Sequence, residues 1–168
     1  LDAIGFEGAE ISFSGFWSKG DGASFTCLID CTKLIDFLSK PFDKDAFGFD
    51  WTGGRTWHRE DFLIMHRLQL GGNVTRNDSR YSHECTCSLE ILNEGQPAEG
   101  DAFNELLEPY LEELCAEFEK AAEELRYDLC RLIYKDLEEE HDHLTSDEYI
   151  EEYASGNDWK FDREGELV

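Results

Sequence analysis

The stretch DAFNELLEPYLEELCAEFEKAAEELRYDLCRLIYKDL, residues 101–137, decides the fold class. Its apolar residues Phe103, Leu106, Leu107, Tyr110, Leu111, Leu114, Phe118, Ala121, Ala122, Leu125, Leu129, Leu132, Ile133 and Leu137 recur every three or four positions. That spacing puts them on one face of an α-helix. Pro109 either starts the main helix or kinks it, so one long helix and two in series both fit.

Upstream of this stretch the period is two. Glu10–Trp17 and Ser24–Asp30 read as strands joined by the glycine-bearing turn Ser18–Ala23. Leu34, Ile35 and Leu38 give Thr32–Ser39 a helical spacing, which Pro41 ends. Phe42–His58 has no clear period and reads as a long loop pinned by aromatics. Asp61–Leu70 and Arg80–Leu92 alternate like strands on either side of the turn-forming run Gly71–Ser79. Downstream, Thr145-Ser-Asp-Glu148 is a capping-box pattern for a short helix through Tyr153 that stops at Gly156, and Trp159–Val168 suggests a small hairpin. The expectation is one α+β domain over residues 1–168. Residues 1–100 are mainly β with a short helix, and 101–168 are mainly helical and acidic. An antiparallel sheet of about four strands carries the long acidic amphipathic helix across it, with the small helix and hairpin at the C-terminal end.

The 39 acidic and 15 basic side chains leave a net charge of −24, which excludes a direct binder of nucleic acid. Hydrophobic residues make up 40% of the chain and aromatics 13%, enough for a real core and too many for a disordered acidic tail. No apolar run approaches the ~20 residues of a membrane span, and the carboxylates would be repelled by anionic lipid. A soluble cytoplasmic protein is expected. Because the sequence begins at Leu1 rather than Met, an initiating segment is expected to be missing from it. The six cysteines (Cys27, Cys31, Cys85, Cys87, Cys115, Cys130) are expected to be reduced, with Cys115 and Cys130 acting as small hydrophobes on the helix stripe. The sequons at Asn73 and Asn77 fall in a polar turn.

The charge is unevenly distributed, with 16 acids against 9 bases in residues 1–100 and 19 against 4 in residues 101–152. A halophilic surface would spread its acids over the whole chain. From Asp101 to Glu140, 14 of 40 residues are acidic. At a rise of ~1.5 Å per residue that is one charge per ~4.3 Å of helix, against one phosphate per ~3.4 Å along a strand of B-DNA. Glu108/Glu112, Glu113/Glu117, Glu119/Glu123, Glu124/Asp128 and Asp136/Glu140 are like-charge pairs four apart, each costing a few tenths of a kcal/mol. Two readings compete. One is a solvated helix face; the other is an anionic ridge that fills the groove of a basic nucleic-acid-binding protein or toxin. On the second reading the partner-binding residues are Glu112, Glu113, Glu117, Glu119, Glu123, Glu124 and Asp128, with no cofactor and no catalytic residue. The apolar stripe is buried either on the chain's own sheet or on a second copy, so a homodimer is possible.

Other constellations are weaker. His83, Cys85 and Cys87 share one strand face, and Cys27 with Cys31 offers a second pair, yet neither has the C-x2-C spacing of a zinc knuckle. Asp43, Asp45 and Gly48 begin like a calcium loop, but Phe47 and Gly54 stand where ligands are required. The 18–24 turn lacks the phosphate-loop pattern and precedes a strand. Nothing in the spacing of His58, His66 or His83 with Asp21, Ser24 or a cysteine singles out a nucleophile and base. His141 and His143 suit a helix C-terminus.

Two further stretches, ISFSGFWSKGDGASF (residues 11–25) and LIYKDLEEEHDHLTSD (residues 132–147), carry a resemblance, as do Tyr81-x-His83 and Asn157–Phe161. They resemble small proteins of phages, prophages and plasmids commonly labelled antitoxins of a toxin–antitoxin stability system. Lys19 stands where that pattern has Gln, and Cys87 where it has Met. The resemblance implies a mobile-element origin and supplies no catalytic residue. The leading expectation is therefore a phage-type acidic inhibitor that mimics nucleic acid and blocks a defence nuclease, a restriction or CRISPR complex, or a toxin. The alternatives are a small ligand-binding or hydrolytic domain using the 18–24 turn and His83, and a virion structural protein.

Overall fold

Strand β1 (Phe6–Phe13) pairs antiparallel with β2 (Ala23–Ile29), β2 with β3 (Leu70–Arg76), and β3 with β4 (Cys85–Ile91), in the order β1-β2-β3-β4. This computed structural model describes residues 1–42, 51, 60–61, 65, 70–77, 84–92, 101–157, 159–160 and 166. The helices whose bounds are described are α1 (Cys31–Leu38), α2 (Asp101–Leu144) and α3 (Asp147–Gly156). The chain is α+β, and it divides into two compact units, Leu1–Leu132 and Ile133–Val168.

In the first unit the core is built from Phe6, Phe25 and Val74 of the sheet, Leu34, Ile35 and Leu38 of α1, and Leu114, Phe118, Ala121, Ala122, Leu125 and Leu129 of α2. Phe6 and Phe25 meet edge to face at 5.3 Å, a pairing that adds to their burial. The α1 residues are those that the helical spacing selects, and Asp30 caps the helix by accepting from the Lys33 N–H at 3.1 Å. The Tyr110 hydroxyl donates to the buried Asp61 carboxylate. Helix α2 continues through Pro109 as one element, which decides between the one-helix and two-helix readings.

The strand boundaries differ from the expectation in three places, one of them β4, which begins at Cys85 with Glu84 outside it rather than at Arg80. β1 begins at Phe6 rather than Glu10 and ends at Phe13 rather than Trp17. A bulge between Glu7 and Glu10, with Gly8 at φ 64°, shifts the alternation, so that Phe6 lies opposite Ile29 and Ile11 opposite Phe25. A period-two pattern is unreadable across such a shift. The larger correction concerns residues 61–79. Asp61 and Met65, expected in a strand, are helical, and β3 starts at Leu70 and occupies the glycine-rich run read as a turn. The two glycines are there for packing. A Cβ on Gly72 would stand 2.4 Å from Leu89 Cδ2 and 3.0 Å from the Ser88 carbonyl, and one on Gly71 would stand 2.8 Å from Leu92 Cδ2. Glycine inside a strand marks this kind of close approach. The expected 42–58 loop lies almost wholly outside the described residues, as does most of the expected hairpin over 159–168.

In the second unit, Ser146 caps α3 by accepting from the Tyr149 N–H at 3.2 Å. Thr145 is occupied with ending α2, its N–H and hydroxyl both reaching the His141 carbonyl, so the box expected from Thr145 to Glu148 does not close. α3 runs to Gly156, three residues past Tyr153, with Asn157 as its C-cap.

Candidate functional site

Two N–H groups on the outer edge of β4 are covered by α2, and the match in repeat distance explains how. Two residues along a strand span ~6.7 Å, and four along a helix span ~6 Å. Glu119 and Glu123 therefore keep step with Leu89 and Cys87: Glu119 Oε2 accepts from the Leu89 N–H at 3.0 Å, and Glu123 Oε2 from the Cys87 N–H at 2.9 Å. The next rung is Arg126, which is 7% exposed and donates from Nη1 to the Cys85 sulfur at 3.0 Å. A row of open strand N–H groups is a liability, and these carboxylates satisfy part of it. The like-charge pair Glu119/Glu123 thus has an intramolecular purpose.

Arg126 is the functional residue that the sequence reading passed over. Its Nε donates to Glu123 Oε2 at 2.9 Å, its Nη2 to Glu123 Oε1, and its Nη1 also faces Cys130 Sγ at 3.8 Å. One signal was available, since Arg126 sits four residues after Ala122 and four before Cys130, a charge in the middle of the apolar stripe. Burial opposes the guanidinium charge, but the hydrogen bond to Glu123 and the Cys85 sulfur hold its pKa above the ordinary arginine range.

Around Cys85 the thiols separate into two kinds. Cys85 receives the Arg126 Nη1–H, with Cys130 and the Phe25 backbone beside it. The Cys130 hydrogen bond, with the Arg126 charge behind it, pulls Cys85 below the usual thiol range despite burial. Cys130, donating to Cys85 and itself buried, is pushed up. Cys87, buried beside Glu123 and Glu119, rises to about 12, and burial takes Cys27 and Cys31 to about 11. All six cysteines are free thiols.

The seven carboxylates expected to bind a partner do not share one environment. Glu112, Glu113, Glu117 and Glu124 are exposed, whereas Asp128 is half-buried and Glu119 and Glu123 are turned to the β4 edge. Lys120, Tyr127 and Arg131 are exposed on the same stretch of helix and interrupt its negative row.

In the second unit the carboxylates are denser. Asp136, Glu138, Glu139, Glu140, Asp142, Asp147, Glu148, Glu151 and Glu152 are all exposed, and residues 136–152 contain no lysine or arginine. That is nine charges in 17 residues, one per ~3 Å of helical rise. Lys135 pairs with Glu139 at 3.2 Å at the start of this segment. Within the same unit His143, Tyr149, Tyr153 and Trp159 form a row of rings at centroid distances of 5.1, 6.0 and 5.4 Å. Leu144, Ile150, Tyr153 and Trp159 are 43%, 52%, 49% and 47% exposed, and α3 buries no residue. Apolar and aromatic side chains left in water within an acidic rim have the composition of a binding face.

The remaining candidates are not brought together. Cys85 and Cys87 are buried on β4, while His83 lies outside the described residues, as do His58 and His66; among the described residues no three metal-ligating side chains converge. In the 18–24 turn, Asp21 is committed to the loop itself. It accepts from the Trp17 and Ser18 N–H groups, both at 2.7 Å, and from the Ser18 hydroxyl at 2.9 Å. Among the described residues no helix is long and apolar enough to cross a membrane.

Comparison with curated proteins and with solved structures finds no match. Residues 2–147 do match a protein family, a span that takes in all four strands, the β4 clamp and the first residue of α3. Since that span covers most of the sequence, the chain belongs to the family described as Domain of unknown function (DUF8835).

Proposed function

We propose that this protein is an acidic, non-enzymatic inhibitor of mobile-element type that offers a nucleic-acid-like surface to the basic groove of a host defence nuclease, a restriction or CRISPR complex, or a toxin. The observation that carries this reading is the segment 136–152, with nine exposed carboxylates and no lysine or arginine. Its charge spacing of ~3 Å is close to the ~3.4 Å of a DNA strand's phosphates. The exposed Glu112, Glu113, Glu117 and Glu124 of the first unit add to the field, while Glu119 and Glu123 act inside the fold. The Leu144, Ile150, Tyr153 and Trp159 side chains supply apolar anchors that charge alone lacks, and anchors of this kind carry most of the energy of an interface. The resemblance to phage and plasmid proteins supports the same reading, which places the protein in the cytoplasm of the host cell.

The test is capture. Purified protein on a resin is incubated with host lysate, and bound proteins are released by stepped salt. A basic nucleic-acid-binding protein released at moderate salt is expected, because screening weakens such contacts. An eluate without a basic protein would contradict the proposal.

A further inference from the structure

The Cys85–Cys130 pair has features that a structural thiol does not need. The Arg126 Nη1–H reaches the Cys85 sulfur at 3.0 Å, with Cys130 and the Phe25 backbone beside it. A neutral thiol is a weak acceptor, so this set suits a sulfur that carries charge. The second sulfur is held by the same guanidinium nitrogen, at 3.8 Å. The two thiols come from different elements, β4 and α2, and the β4 clamp is what brings them together. Cys27 on β2 and Glu123 on α2 complete the ionisable surroundings.

We propose that Cys85 and Cys130 form a peroxide-reactive dithiol that closes to a disulfide, with Arg126 as the cationic clamp on the attacking sulfur. The Cys85 sulfur attacks one oxygen of hydrogen peroxide. An S–O bond forms, the O–O bond breaks, and hydroxide leaves, giving Cys85 sulfenic acid. The Cys130 sulfur then attacks the Cys85 sulfur. The S–S bond forms, the S–O bond breaks, and the departing hydroxide takes the Cys130 proton as water. The proton that Cys85 gave up earlier neutralises the first hydroxide. Overall, two thiols lose two electrons and two protons, and one peroxide becomes two waters. Cys85 is 5% and Cys130 6% exposed, so the site takes a small hydroperoxide and excludes a bulky oxidant such as glutathione disulfide.

Mass spectrometry of the full-length protein tests this, after treatment with a few equivalents of hydrogen peroxide under native conditions and alkylation of the remaining thiols. The expected result is loss of two of the six thiols and a peptide cross-link joining Cys85 to Cys130. The same treatment in urea should scatter oxidation over all six. In the Cys130→Ser variant, which keeps a small polar group at the site, a dimedone adduct is expected on Cys85 and no disulfide. An unchanged thiol count in the native protein, a cross-link between any other pair, or a dimedone adduct at another cysteine would overturn the proposal. Glutathione disulfide should react at least ten-fold more slowly than peroxide; equal rates would refute the size limit.

Discussion

Arg126→Ala is expected to lower the unfolding free energy by about 2–3 kcal/mol, less than for a fully buried ion pair because the Glu123 side chain is 38% exposed and screened by water. The guanidinium makes two bonds to Glu123 and faces both Cys85 and Cys130. Removing it leaves an unfilled volume beside Cys85 and Cys130, together with a carboxylate that still accepts the Cys87 N–H but has lost its counter-charge. Arg126→Lys is expected to recover less than half of the loss, because a single ammonium cannot reproduce the two-pronged contact with Glu123 while also reaching Cys85. Arg126→Met combined with Glu123→Gln should be milder than Arg126→Ala, since no unpaired charge is then left inside. Urea unfolding followed by circular dichroism measures all three variants. A loss below about 1 kcal/mol for Arg126→Ala would mean that the clamp is dispensable.

Reversing Glu138, Asp142, Glu151 and Glu152 to lysine is the second large effect. The four changes take the formal charge from −24 to −16 and put cations into a segment that has no lysine or arginine. If this segment stands in for phosphates, association with a basic partner at low salt should fall by at least ~100-fold, within the range by which electrostatic steering raises on-rates. The helices should be unharmed or slightly firmer, because the changes relieve like-charge neighbours on exposed turns. Reversing Glu113, Glu117 and Glu124 is expected to cost less, since Lys120 and Arg131 already interrupt that stretch. Binding constants for the two variants, measured side by side at one salt concentration, assign the partner-binding surface to one of the two units. Unchanged binding of both variants would remove the carboxylates from the mechanism.

The long helix was legible in the sequence because its stripe is long: Leu114, Phe118, Ala121, Leu125 and Leu129 are buried where a period of 3.6 puts them. The alternation of Cys85 and Cys87 likewise marked β4 correctly. β3 was hidden because its two glycines serve close packing against Leu89 and Leu92, and a glycine's neighbours are invisible in a sequence. The start of β1 was hidden by the bulge at Gly8. For the site, acidity was legible and direction was not. Glu119 and Glu123 look like their neighbours in the sequence, yet β4 claims them, because a contact 30 or 36 residues away sets where a side chain points. Among the described residues the densest exposed carboxylates lie later, at 136–152.

Competition tests the central claim most directly. With a captured partner immobilised at low salt, bound protein is challenged with increasing duplex DNA, and the amount displaced is measured. Mimicry predicts that DNA releases the protein in proportion to its occupancy, and that the variant with Glu138, Asp142, Glu151 and Glu152 reversed to lysine fails to bind in the first place. A ternary complex in which the partner holds DNA and this protein at the same time, with neither weakening the other, would contradict it.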